Sequence, residues 1–216
     1  LSNPRHLTVL GGTYSYILTK SYRNNTIAAC IVTDTVIVNV YAGAKADFTS
    51  SAPGCIGQEV NFYNAGSSGG GATHLWDFGA GSVATFTQVT SENPTGITYS
   101  SIGAKMVIHT VSIPLCGGAP AVDTLVITIN PIPTVTFTTN APVCLGASVN
   151  FTNTGTNGVG VSYKWDFGTG STPGKSTVQN PSGITYSFAG SKIITFSIVN
   201  QFGCTSSATQ SITINK

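Results

Sequence analysis

Charge is what this sequence has least of. Its 9 Lys and Arg and 7 Asp and Glu make up 7% of 216 residues, against about 25% in an ordinary soluble domain. The cations are scattered and the net charge is +2, so no basic stripe exists and nucleic acid is not an expected partner. No apolar run approaches the roughly 20 residues that cross a bilayer, so no helical membrane span is expected in this stretch. A sustained 3.6-residue apolar period is also missing, which argues against helices. The chemical inventory is thin: seven acids and three histidines, His6, His74 and His109. His/Cys metal spacing and phosphate loop are both absent. The expectation is a protein that is not an enzyme, with no catalytic, cofactor-binding or metal-binding residues and no cofactor. A leader is absent too, but the chain opens on Leu1, as expected of a window on something longer, so that absence carries no weight.

What is abundant is Thr, Ser, Asn, Gly and Val, a mixture suited to strands and turns. The two tryptophans are the key to its arrangement. Trp76-Asp77-Phe78-Gly79 returns as Trp165-Asp166-Phe167-Gly168, a spacing of 89 from 76 to 165. Gly57-Gln58-Glu59-Val60-Asn61-Phe62 matches Gly146-Ala147-Ser148-Val149-Asn150-Phe151 at the same spacing, and Asn93-Pro94-Thr95-Gly96-Ile97-Thr98-Tyr99-Ser100 matches Asn180-Pro181-Ser182-Gly183-Ile184-Thr185-Tyr186-Ser187. The chain is therefore a tandem array of one module. Residues 1–41 read as the C-terminal part of a first module, 47–129 as the middle module and 134–215 as the last. Strands in the middle module are expected at 48–50, 59–63, 74–78, 83–90, 98–100, 105–112 and 123–129, with the same order in the last. Residues 42–46 form a linker of small residues. Asn130-Pro131-Ile132-Pro133 forms a second, stiffened by two fixed φ angles.

Seven or so short alternating strands argue for an all-β fold of tandem, head-to-tail immunoglobulin-like antiparallel sandwiches. One Trp on a central strand fits a plug between two sheets. The expected structural core is Trp76, Phe78 and Tyr99, repeated as Trp165, Phe167 and Tyr186. In the repeat alignment His74 falls at Tyr163 and His109 at Phe196. A residue replaced by an aromatic in its sister copy reads as a sheet-face residue, not a catalyst.

Tyr163-Lys164-Trp165-Asp166-Phe167-Gly168, then Asn180-Pro181, then Ile184-Thr185-Tyr186-Ser187-Phe188-Ala189-Gly190, resembles a PKD domain. The match covers both whole modules and, more weakly, the N-terminal piece. Cys144-Leu145-Gly146 before a strand and Gly203-Cys204 before the last one resemble tandem modules in giant Bacteroidetes surface proteins, gliding-motility adhesins and type IX secretion cargo among them. The resemblance implies an extracellular, cell-surface stalk, filament segment or adhesin. The alternative is a set of accessory domains by which a secreted hydrolase docks polysaccharide or protein. Expected partners are neighbouring repeats of the same long chain, other copies in a filament, and an unidentified surface or extracellular-matrix ligand. Many PKD domains continue the motif as Gly-Asp-Gly; here Gly79-Ala80-Gly81 and Gly168-Thr169-Gly170 offer no such acid. Asp77 and Asp166 alone are poor calcium ligands and read as turn-forming acceptors.

The cysteines are Cys30, Cys55, Cys116, Cys144 and Cys204, a usage that points to an oxidising compartment. Two pairings are open. Within modules, Cys55 would bond Cys116 and Cys144 would bond Cys204. In an immunoglobulin-like order those positions fall at opposite ends of a sandwich, beyond the roughly 7 Å that a bridge spans. In the second scheme, slightly preferred, Cys55 bonds Cys204 and staples the middle module to the last, leaving Cys30 and Cys116 for upstream partners and Cys144 for a downstream one. Asn24 and Asn150 fit the N-glycosylation pattern, and Thr35 and Thr124 follow Asp as in Bacteroidetes O-glycosylation sites; plain strand entries explain all four as well.

Overall fold

The computed structural model describes residues 12–24, 27–40, 42–69, 71–114 and 118–216, with backbone alone for 22–24 and 27–30. Among these residues the regular structure is nearly all strand. β1 (Gly12–Asn24) and β2 (Ile27–Val40) form an antiparallel hairpin. The middle module carries β3 (Phe48–Ser50), β4 (Gly54–Cys55), β5 (Phe62–Asn64), β6 (Thr73–Asp77) and β7 (Ser82–Val83). There follow α1 (Phe86–Thr90), β8 (Thr98–Tyr99), β9 (Gly103–Ser112) and β10 (Ala121–Asn130). The last module begins with β11 (Phe137–Thr139), β12 (Val143–Cys144), β13 (Phe151–Asn153), β14 (Ser162–Asp166) and β15 (Ser171–Thr172). It ends with β16 (Lys175–Ser176), β17 (Thr185–Tyr186), β18 (Gly190–Val199) and β19 (Thr205–Asn215).

Each module is a two-layer sandwich. In the middle module one layer runs β4-β10-β9-β6, and the other holds the pairs β3-β5 and β7-β8, bridged at Val60 and Ile97. The last module repeats this as β12-β19-β18-β14-β16 against β11-β13 and β15-β17, bridged at Val149 and Ile184. The alternation that marks β9, with Lys105, Val107, His109 and Val111 buried, recurs in β18 with Lys192, Ile194, Phe196 and Ile198. One face of each strand thus faces the opposite layer, as a period of two requires. The hairpin shares the register of the closing strands elsewhere: Gly12 lies opposite Val40, as Gly103 does Ile129 and Gly190 does Ile214.

Three details depart from the sequence reading. The sandwiches are not purely antiparallel, because β4 and β12 run parallel to the ends of β10 and β19. After β3, the chain passes a cis Ala52–Pro53 bond and changes layers to form β4; Ala141–Pro142 does the same before β12. The strand expected at 59–63 begins only at Phe62, with Val60 making an isolated bridge. Between them Asn61 uses its side chain instead, accepting from Gly96 N at 2.9 Å. In place of a strand at 83–90 there is the end of the two-residue strand Ser82–Val83 and then a helix. Thr85 and Gln88 close a capping box: Gln88 N donates to Thr85 Oγ1 at 3.3 Å and Thr85 N to Gln88 Oε1 at 2.6 Å. A Thr-x-x-Gln pattern of this kind is a helix-start signal. It stands in the sequence but is too short to show as periodicity.

Candidate functional site at the stapled junction

The repeated motif places one indole at the centre of each sandwich. Trp76 and Trp165 are buried, on β6 and β14. Trp76 stacks on His109 with centroids 3.7 Å apart, and Trp165 on Phe196 at the same distance. Phe48 and Phe137 close each plug edge-on, at 5.0 and 5.1 Å. Phe78, Tyr99, Phe167 and Tyr186 complete the cores. A buried indole N–H needs an acceptor, and each finds a backbone carbonyl beyond its strand: Ser91 O at 2.8 Å and Val178 O at 3.0 Å. Tyr99 and Tyr186 donate to Phe78 O and Phe167 O, both at 3.0 Å, tying a later strand to the end of the motif. Burial pushes both phenols up to about 12, with the Asp77 charge adding to the effect at Tyr99.

The rest of the motif shapes its turn. Asp77 Oδ1 accepts from Gly79 N at 2.8 Å and Asp166 Oδ1 from Gly168 N at 3.0 Å. Gly79 and Gly168 have φ of 79° and 76°, and a Cβ there would sit 2.7 Å from the carbonyl oxygen of Met106 or Ile193. Only glycine meets both demands. Among the described residues no group of three acids, cysteines or histidines is gathered for a metal.

The two cores differ most where the middle module carries His74 and His109 and the last carries Tyr163 and Phe196. His109 Nδ1 donates to Ala46 O at 2.8 Å, so its Nε2 is the acceptor facing His74 Nδ1 at 3.1 Å. The pair joins the linker before the middle module to its core. Burial holds His109 below the ordinary imidazole value. The Ala46 carbonyl opposes that shift, His74 reinforces it, and Asp123 opposes it. The folded state thus keeps His109 neutral where the unfolded chain protonates it. The resulting stability is complete above about pH 6.5 and is lost as the pH falls below it. His109→Phe, which copies Phe196, is expected to flatten the pH dependence of the middle module's melting below pH 6.5. Thermal melts from pH 7.5 to 4.5 measure it.

In the last module the ring at the position of His74 is Tyr163, whose Oη is buried without a hydrogen-bond partner. An unsatisfied buried hydroxyl costs about 1–3 kcal/mol. Tyr163→Phe is therefore expected to stabilise the last module by about 1 kcal/mol, read from urea midpoints.

The modules meet at a covalent joint. Cys55, buried on β4, is bonded to Cys204, in the turn before β19. Their Cα atoms are 5.8 Å apart and their sequence separation is 149. The within-module pairing does not occur for Cys144 and Cys204: Cys144 is a free, exposed thiol. The physical reason is that β12 lies beside the far end of β19, whereas Cys204 sits at the opposite end of that strand. Cys116 lies outside the described residues, as do the side chains of Cys30 and Asn24.

Asn200, which sequence reasoning missed, organises the joint. Its Oδ1 accepts from Phe202 N and Cys204 N, both at 3.0 Å, shaping the turn that presents Cys204. Its Nδ2 donates to Pro131 O at 2.8 Å and holds the linker. Residue 113, its repeat counterpart, is Ile, so the repeat gave no signal. The glycosylation candidates stand apart from the joint. Asn150 Oδ1 accepts from Gly183 N at 3.0 Å, the same clamp as Asn61. Thr35 and Thr124 are exposed in mid-strand, their N–H groups donating to Asp34 and Asp123.

Paired sandwich layers around a buried indole define an immunoglobulin-like β-sandwich protein. Residues 130–215 match the family model described as PKD domain. The chain belongs to the PKD-domain family. No curated protein matches the chain. Among solved structures it is similar to the PKD1 domain of the Vibrio cholerae metalloprotease PrtV, at 30% identity over 39% of this chain and 99% of that one, with a TM-score of 0.33. It is also similar to the PKD1 domain of Vibrio anguillarum Epp, at 28% identity over 39% and 94%, with a TM-score of 0.32. A Ca2+-stabilised adhesin of an Antarctic bacterium aligns at 15% identity over 93% and 56%, with a TM-score of 0.42.

Proposed function

We propose that this chain is a segment of an extracellular, non-catalytic stalk or surface filament built from serial PKD-type modules. The observation that carries the reading is the joint. A disulfide, a side-chain bond to the linker and two linker prolines fix the last module against the middle one. A protein whose task is reach needs stiff connections more than a pocket. The disulfide supports an oxidising, extracytoplasmic setting, and no helix among the described residues is long and apolar enough to cross a membrane. On this reading, the resemblance of Cys144-Leu145-Gly146 and Gly203-Cys204 to modules of Bacteroidetes surface adhesins suggests type IX export and a place in gliding or adhesion. The common register of the three closing hairpins supports reading β1–β2 as the end of a further module. Partners on this reading are neighbouring modules, other copies in a filament, and a surface ligand at some other point of the polypeptide.

Docking of polysaccharide by these modules would call for a flat row of aromatics. Both indoles are buried, and the exposed Tyr63, Phe86, Phe188 and Phe202 stand on separate elements. Pull-down on chitin, cellulose and collagen tests the distinction. The stalk reading expects no retention of this segment on any of them; saturable retention on one would favour an accessory docking role.

A further inference from the structure

We propose that Cys144 is the near half of a second intermodule staple, made to a PKD-type module that follows this one in the same polypeptide and carries a cysteine just before its last strand. The proposal deepens the stalk reading and rests on it. The evidence is the sister site. Gly54–Cys55 pairs in parallel with Ile129 and Asn130; Val143–Cys144 pairs in the same way with Ile214 and Asn215. Ile56 N donates to Asn130 O at 2.9 Å, and Leu145 N to Asn215 O at 2.9 Å. Both sites follow an Ala–Pro pair, Ala52-Pro53 and Ala141-Pro142. The backbone thus presents the two cysteines identically, beside identical asparagines where the chain leaves its sandwich. At the first site a module is seated beyond Asn130, and Cys55 is buried and bonded to its Cys204. At the second site Cys144 is exposed as a thiol. Seating the next module beyond Asn215 as the last one sits beyond Asn130 would bring that module's pre-strand cysteine to Cys144.

Bond formation removes one hydrogen from each of two thiols. By thiol–disulfide exchange the two electrons pass to a small-molecule or enzyme disulfide, whose S–S bond breaks, and the two protons end on its sulfurs, giving two thiols.

The test appends a copy of residues 131–215 directly after Asn215 of the whole chain, with the copy's own Cys144 changed to Ser. The protein is folded in a glutathione/glutathione-disulfide buffer, alkylated and mapped by non-reducing digestion. The expected result is a Cys144–Cys204 peptide in near-stoichiometric yield, alongside an undiminished Cys55–Cys204 peptide. Changing the copy's Cys204 to Ser should return Cys144 entirely to the free-thiol fraction. A free Cys144 in the extended chain, or a Cys144–Cys144 dimer between molecules, overturns the proposal. The same mapping on the protein secreted by its natural host keeps the question independent of how the copy folds. There Cys144 must be bonded to a cysteine beyond residue 216; a free or glutathione-capped Cys144 overturns it. Either failure leaves the Cys55–Cys204 joint, and with it the stalk reading, untouched.

Discussion

Trp165→Ala is expected to remove most or all of the last module's stability while sparing the core of the middle one. Truncating a buried Trp costs about 3–5 kcal/mol through lost burial and the cavity left behind. Here the indole also stacks on Phe196, meets Phe137 edge-on and donates to Val178 O, so the loss should lie at the upper end. A domain of this size has about 4–13 kcal/mol to lose. Each module holds a single Trp, so Trp76 fluorescence then reports the middle module alone. Urea unfolding should show the circular-dichroism transition split, with a part moved to much lower urea and the Trp76 transition retained. A shift below about 1 kcal/mol would mean that the indole is not the keystone of its sandwich.

Cutting the staple is the second large effect. Suppose one module unfolds while its neighbour stays folded. The disulfide then closes a loop of about 75 residues, from Cys55 to the linker or from the linker to Cys204. On the loop-entropy argument such a closure stabilises whichever module unfolds first by about 4 kcal/mol. Cys55→Ser with Cys204→Ser should therefore lower the first melting transition and leave both cores intact at low temperature. The Asn200 bond to Pro131 O would remain. Unchanged midpoints in calorimetry would show that the bond reports proximity without coupling the modules.

The repeat made the cores legible, because a spacing of 89 puts Trp76 and Trp165, and Phe62 and Phe151, in matching environments, and a spacing of 87 does the same for Tyr99 and Tyr186. The middle of each module was not legible, for a physical reason. What the indole requires there is a carbonyl oxygen, and every residue carries one. Ser91 delivers it from the end of a capped helix and Val178 from a loop beyond β16, so unrelated sequences serve the same need. The parallel strands β4 and β12 were hidden by their length of two residues, too short for alternation to register. Asn200 was hidden because it holds the linker at Pro131 and has no asparagine counterpart in the middle module, where Ile113 stands. His109 was legible as a core residue through its alignment with Phe196. Its bond to Ala46 O was not, since a carbonyl partner leaves no mark in sequence.

Small-angle X-ray scattering of the oxidised chain tests most directly whether the modules stand in a stiff series. Strands of ten residues at about 3.3 Å each, plus turns, give a module length of about 35–40 Å, so the chain should span about 90 Å. A rod of that length has a radius of gyration of about 26 Å, whereas a compact globule of this size has one of about 17 Å. The account predicts the larger value, unchanged from low to high salt, and a broader distance distribution after reduction. A radius of gyration near 17 Å, or a profile indifferent to reduction, would contradict it.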